Sequence, residues 1–362
     1  MSNKETIAES EASFGQEDSE QPIPPSDIVA YNELRSCADL FRMHASGKLE
    51  IQPDFQREVV WRQDDQSRFI DSLVKQLPIP SMCFSLDYKT QKWKVIDGLQ
   101  RMSSIIRFLS TNEWKLSDLS DIHPKLRGRK NSDLRHGDDE QKRLFALVED
   151  VSIPVTVIRC DYSQRSHMLY LFTIFHRLNS GGVRLTNQEI RNCIYTGPFN
   201  DLLKTFDSSN SDWKSVKKRI WGSMDRFRSI EVLLRILAFT AKWNGYDGNL
   251  ARFLNIYMHE HVNDDEEILK RLEARLRSLA SKTKQALSTE PQRKLPLLLV
   301  EALMVGMHAQ GDRLDALTVD DIKNAFNVMR SHASFVEGAR YAVTSADNVK
   351  TRLHAAVQAF AV

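Results

Sequence analysis

Apolar positions in the first half of the chain change period several times, and each change marks an expected element. Phe69, Ile70, Leu73, Val74 and Leu77 share one helical face, with Asp64 or Asp65 as the cap and Pro78 and Pro80 as the stop. Ahead of it, a helix carrying Leu34, Leu40 and Phe41 is expected from near Tyr31, then Ile51–Arg57, which Pro53 keeps out of helix. Ser81–Asp87 and Lys92–Ile96 read as two strands joined across Tyr88–Gln91. Asp97-Gly98 forces a turn, after which Met102, Ile105, Ile106 and Leu109 fall at i, i+3, i+4 and i+7 on a helix. Residues 115–143 are polar and charged, which predicts a surface insertion with short helices. Strand character returns at Val151–Arg159, and Met168–Leu178 is apolar on nearly all sides, the mark of a buried helix. Asn179-Ser180-Gly181-Gly182 ends that helix in a loop, and Thr186-Asn187-Gln188-Glu189 has the capping-box form for the next one.

Beyond about residue 200 the strand signals fade. Ile230–Phe239, Glu266–Leu287, Leu295–Met307, Asp320–Met329 and Val349–Phe360 all carry helical spacing. The pattern defines an α+β domain over residues 28–200 followed by an all-helical domain over 201–362. Residues 1–27 are rich in Glu, Ser and Gln, end near Pro22-Ile23-Pro24-Pro25, and predict a disordered acidic tail.

Charge and cysteine usage narrow the setting. The tail holds seven acids against Lys4, so the net +2 of the chain conceals −6 in the tail and +8 in the remainder. Such a body permits a polyanionic partner without requiring one. No apolar run reaches the length of a membrane span, and the N-terminus lacks the basic-then-apolar order of a signal peptide, so a cytoplasmic protein is expected. Cys37, Cys83, Cys160 and Cys193 are scattered, which fits reduced, buried thiols.

The chemistry concentrates at Val95-Ile96-Asp97-Gly98-Leu99-Gln100-Arg101. A strand, a tight turn and a helix N-terminus place unpartnered N–H groups and the positive end of a helix dipole together, and Arg101 adds a guanidinium one turn in. The same residues also admit a plain reading, in which Asp97 caps the helix and Gly98 makes the turn. Several alternatives are absent or weak. There is no G-x-x-x-x-G-K-[ST] phosphate loop, and His259-Glu260-His261 has i, i+2 spacing that suits no zinc helix. Cys83 sits between Met82 and Phe84 in strand context and reads as packing, as do Trp93 and Trp114. Arg127-Gly128-Arg129-Lys130 is either a basic loop or a phosphate contact, and Arg177 and Arg191 are either phosphate partners or a solvated helix face.

Taken together, Ile51-x-Pro53-x-Phe55-Gln56-Arg57, Trp61, Leu77-Pro78-Ile79-Pro80, Ile96-Asp97-Gly98-x-Gln100-Arg101, Phe175-x-Arg177-Leu178-Asn179-Ser180-Gly181-Gly182 and Leu185-Thr186-x-x-Glu189-Ile190-Arg191 resemble the N-terminal domain of the GmrSD-type restriction family. The resemblance runs from about residue 30 to 200 and implies a ParB/sulfiredoxin-like fold, in which a G-x-x-R turn, here Gly98 and Arg101, holds nucleotide phosphates. It also implies nucleoside triphosphate binding with Mg²⁺, NTP hydrolysis, and service in prokaryotic defence against foreign DNA beside a nuclease or other defence subunit. On that reading Asp97 orients Mg²⁺ or water, Gln100 positions a water or phosphate oxygen, and Arg101 and Arg57 neutralise phosphoryl charge. Gln56, Asn179, Gly181 and Gly182 would line the same pocket, and Glu189 is either a ligand contact or only a capping residue. Two departures matter. Leu99 stands where the family pattern Asp-Gly-Gln-Gln-Arg has a glutamine, which favours binding over turnover. The HNH-type nuclease motif of many relatives is missing, so nuclease activity from this chain alone is not expected, and no cysteine occupies the turn as sulfiredoxin chemistry would require. The competing expectations are a DNA-binding ParB-like module with a degenerate nucleotide site, and a purely structural partner in a larger complex.

Overall fold

The computed structural model describes residues 24–51, 61–178, 185–221, 227–288 and 294–360, and these form two compact units that meet in sequence at Leu185–Thr186. The first unit is α+β. Its elements run β1 (Val29–Ser36), α1 (Cys37–Ala45), β2 (Leu49–Glu50), α2 (Gln63–Val74), β3 (Met82–Asp87), β4 (Trp93–Asp97), α3 (Leu99–Leu109), α4 (Asn131–His136), α5 (Asp139–Asp150), β5 (Ser152–Cys160) and α6 (Arg165–Leu178). The strands make one mixed sheet in the order β1-β5-β3-β4-β2. β1 lies antiparallel to β5, β5 parallel to β3, β3 antiparallel to β4, and β4 parallel to β2.

Hydrophobic spacing accounts for most of this. The face of α3 formed by Met102, Ile105, Phe108 and Leu109 is fully buried, each side chain contributing on the order of 1.5–3 kcal/mol. Four expectations change. Leu34 lies in β1 rather than in the first helix and is 70% exposed, because the segment pairs through its backbone along the edge of β5. Ser36 is the cap of α1, accepting from Asp39 N–H at 3.1 Å. The cap of α2 is Arg62, while Asp65 sits in the first turn and accepts from Arg62 N–H at 3.1 Å. The stretch after α3 is no surface insertion: Leu116, Ile122, Leu126 and Leu134 enter the core. Buried Asn131 ties it there, accepting from Trp114 N–H at 2.9 Å and donating to the Phe108 and Asn112 carbonyls at 3.1 Å, at the end of α3. The fourth change concerns α6, which buries Met168, Leu171, Phe172 and Phe175 but leaves Leu178 exposed.

The acidic segment also begins to be placed earlier than residue 28. His167 Nδ1 accepts from Asp161 N–H at 2.9 Å, so Nε2 carries the proton and donates to the Asp27 carboxylate at 2.9 Å. The remainder of that segment, residues 1–23, lies outside the described residues.

The second unit contains α7 (Asn187–Ile194), α8 (Pro198–Ser209), α9 (Ser211–Trp221), α10 (Arg228–Lys242), α11 (Leu250–His261), α12 (Glu266–Leu287), α13 (Leu297–His308), α14 (Val319–Ser331), α15 (Ala333–Gly338) and α16 (Ala346–Gln358), with two 3-10 turns. No strand occurs among its described residues. The break falls before residue 200 because α7 packs into this unit through Arg191. That side chain is 1% exposed, neither solvated nor offered to a phosphate. It donates to Asn255 at 2.9 Å and Gln188 at 3.2 Å and pairs with Glu231 at 3.0 Å. The chain of charges continues from Glu231 to Arg235 at 2.6 Å, from Arg235 to Glu301 at 3.4 Å, and from Glu301 to Arg352 at 3.7 Å.

His308, at the end of α13, gives a pH-dependent expectation. Burial, followed by the nearby Arg275 charge, pulls its pKa down to about 4 from 6.5. Between those values the unfolded chain binds the extra proton, so stability is full above pH 6.5 and falls as pH drops toward 4. Thermal melts across that window should show the decline, and His308→Leu should flatten it. An unchanged slope in the variant would assign the decline to other groups.

Candidate functional site

β4 ends at Asp97 and α3 begins at Leu99, so Gly98 alone makes the turn. Gly98 has φ +96°, in the left-handed region, and a Cβ added there would lie 2.5 Å from Met82 Cγ. Conformation and space therefore both demand glycine. Gly98 is also the N-cap of α3 and provides no side-chain acceptor, so the first N–H groups of the helix lack side-chain capping.

Asp97 is not the cap. Its carboxylate instead accepts from Arg101 Nη2 at 2.7 Å, one turn along. Arg101 Nη1 donates to the Pro80 carbonyl and, at 3.4 Å, to that of Ser81. The guanidinium thus braces the entry to β3 against the end of β4 and is the less exposed partner, at 13% against 38% for Asp97. Arg101 is held in place rather than extended as a free fork, and with Asp97 it forms a pair of no net charge. The positive character left for an anion is the N-terminus of α3, worth roughly half a charge. Gln100 Oε1 accepts from Trp61 N–H at 3.5 Å. Leu99 packs against the hydrophobic core, so the position at which the family pattern has glutamine is turned inward.

Beside Asp97 lies a cavity of about 360 Å³. Met82, Ile158 and Ile174 supply apolar wall, while Asp97, Ser81 and Thr156 supply the polar groups. Ser81 and Thr156 hydroxyls stand 3.2 Å apart, and Thr156 donates to Asn32 at 2.8 Å. Cys83 also borders this cavity, but burial and the adjacent Asp97 charge push its thiol up to about 12, leaving it without nucleophilic character near neutrality. All four cysteines are free and buried.

The structure brings Asp97, Gly98, Gln100 and Arg101 together at one turn. Gln56 and Arg57, and Asn179, Gly181 and Gly182, lie outside the described residues. Their described neighbours reach the site: Trp61 bonds Gln100, and Leu178 lines the cavity. Glu189 belongs to the helical unit, 2% exposed, accepting from Thr186 N–H at 2.5 Å while Thr186 Oγ1 accepts from Glu189 N–H at 3.3 Å. That capping box gives the Glu189 carboxylate a backbone partner at the start of α7. In the basic loop, Arg127 braces the Ile122 carbonyl at 3.2 Å and Lys130 pairs with Glu113 at 2.7 Å. Among the described residues no group of three or more His, Cys, Asp or Glu side chains is placed to hold a metal, and Asp97 is the lone carboxylate at the turn cavity. The sequence reads Pro80 as a helix stop and Met82 as a strand residue, not as the groups that hold the arginine and demand the glycine. The Pro78-x-Pro80 run entering β3 was their available signal.

Gly98 joins the end of β4 to an α3 N-terminus that has no side-chain cap and carries a braced arginine, within an α+β unit built on a mixed sheet. Residues 37–196 match the family model described as GmrSD restriction endonuclease, N-terminal domain, and this part of the chain is a GmrSD-type N-terminal domain. No curated protein and no solved structure matches the chain. Among the described residues no helix is long and apolar enough to cross a membrane.

Proposed function

We propose that this chain is a nucleotide-binding component of a prokaryotic DNA restriction system, and that the Asp97–Arg101 turn receives the phosphates of a nucleoside triphosphate. The observation that carries the reading is the α3 N-terminus, left without a side-chain cap by a glycine that both its φ and Met82 require. The family match places that turn in a restriction-enzyme domain. A ParB/sulfiredoxin-like description of the mixed sheet belongs to the same reading.

In this reading the backbone N–H groups of α3 contact phosphate, and the Asp97–Arg101 pair keeps the end of β4 and the helix start in register. Mg²⁺ is often held mainly by substrate phosphates and one or two carboxylates, which suits a site with the single carboxylate of Asp97. Bound there, the metal would supply charge neutralisation for phosphoryl transfer. Gln100, held toward Trp61, would orient a water or phosphate oxygen. A nuclease or another defence subunit is the partner this reading requires for DNA cleavage.

Isothermal titration of the full chain with each of the four common NTPs and Mg²⁺ tests the proposal. At least one should give saturable heat, and Arg101→Ala should weaken that binding by about tenfold or more (about 1.4 kcal/mol), because the Asp97 carboxylate loses its partner beside the phosphates and the turn loses its brace. A melt of the variant separates lost binding from lost fold. No heat with any nucleotide, or an unchanged affinity in a folded Arg101→Ala variant, overturns it. A DNA-binding module with an inert nucleotide site is the second reading, favoured by the +8 charge beyond residue 27.

A further inference from the structure

The two edges of the sheet are unlike. β2 closes one side with two residues, Leu49–Glu50, a short edge that offers little to another strand. β1 closes the other with eight, Val29–Ser36, which contain no lysine, proline or register shift. Its apolar Val29, Tyr31 and Leu34 are all exposed. Sheet edges are commonly blunted by such devices, and an edge without them is a template for a further strand.

The register decides which backbone groups face outward. Cys37 N–H donates to the Val151 carbonyl at 3.1 Å, and from there bonded and non-bonded pairs alternate back along β1. Arg35, Glu33, Tyr31 and Val29 therefore direct their N–H and C=O groups at Ile153, Val155, Val157 and Arg159. Leu34 stands opposite Pro154, which has no N–H to give, in agreement with this phase. The N–H and C=O groups of Ala30, Asn32 and Leu34 point away from β5, and no described residue bonds them.

We infer that β1 pairs antiparallel with β1 of a second copy of this chain, about a two-fold axis at Asn32. The outward residues are self-complementary about that point. Asn32 lies opposite the partner's Asn32, Ala30 opposite the partner's Leu34, and Leu34 opposite the partner's Ala30, each pair exchanging both N–H···O bonds. The large exposed Leu34 side chain thus covers a small one at both ends. Glu33, Arg35, Asp39 and Arg42 form linked ion pairs without net charge, so this end of the edge meets its copy without repulsion. Any strand could satisfy the backbone groups, but the symmetric match of large to small selects a second copy. The inference is independent of nucleotide binding at Asp97–Arg101.

Sedimentation of the full chain from about 1 to 100 µM tests it, a range suited to the weak association of a small interface. The mass should rise with concentration from 41.7 kDa toward twice that value. Leu34→Lys, at an exposed position, and Leu34→Pro, which removes an N–H that β5 does not use, should each weaken association at least about tenfold with little change in melting temperature. A short bismaleimide should join two copies of Asn32→Cys, since the native cysteines are buried, and should not join Lys142→Cys, exposed on α5. A chain that stays monomeric throughout overturns the inference and leaves the edge to another occupant. Association untouched in folded Leu34 variants, or equal cross-linking at positions 32 and 142, overturns it as well.

Discussion

Glu231→Ala should destabilise the protein by about 3–5 kcal/mol, the cost of leaving buried charge unpaired. Glu231 accepts from Arg191 at 3.0 Å and from Arg235 at 2.6 Å, and both arginines are at least nine-tenths buried. Removing the carboxylate takes a short ion pair from both buried guanidiniums, leaving Arg235 with Glu301 at 3.4 Å and Arg191 with its bonds to Asn255 and Gln188. Burial by itself would raise the Glu231 carboxyl, but Arg235 and Arg191 outweigh it and hold it below 4.5. The sign follows: a depressed carboxyl stabilises fully above its unfolded value and loses that contribution as pH falls below about 4.5. Urea unfolding at pH 7 measures the first effect. A loss under about 1 kcal/mol would show that the pair behaves like a solvated surface bridge.

Gly98→Ala carries the second large effect. A residue with a Cβ at φ +96° costs about 1–3 kcal/mol in strain, and here the Cβ also meets Met82 Cγ at 2.5 Å. The contact involves Met82 Cβ and Cγ as well as Sδ, so relief requires the whole buried side chain to shift and not only its tip. The expected result is a lower melting temperature together with loss of the nucleotide heat. Gly98→Asn separates the two causes, because asparagine tolerates the left-handed region but carries the same Cβ. Equal damage from both variants would assign the cost to contact with Met82. A milder Gly98→Asn would assign it to backbone strain, and neutral behaviour of both would remove the glycine requirement.

The local signals in the sequence were sufficient for the turn. Strand propensity, Asp-Gly and an i, i+3, i+4, i+7 stripe all lie within a few residues, and the observed β4, Gly98 and α3 follow them. Helix α12, expected over Glu266–Leu287, has those bounds. Long-range partners were not legible. Arg101 was expected to point at an anion, yet its carbonyl partners at Pro80 and Ser81 are set by how β3 enters the sheet. Arg191 reads as a helix-face cation until Glu231, forty residues away, covers it. β1 escaped for a related reason: an edge strand held by backbone pairing to β5 needs no alternation of buried side chains. The apolar surround of Leu178 failed as a sign of burial because one flank of α6 faces the cavity beside Asp97.

The bond between His167 and Asp27 fixes where the protein tolerates shortening at its amino end. Pro24 and Ile28 form part of the wall of the Asp97 cavity, and Asp27 accepts the proton of an imidazole that is fully buried. A version beginning at residue 28 therefore loses a strip of cavity wall and leaves a buried N–H without its acceptor, although composition alone marks those residues as dispensable. Truncation placed upstream of Pro24 spares both. Purified fragments that start on either side of that residue differ in the integrity of the cavity, not only in the length of an acidic leader.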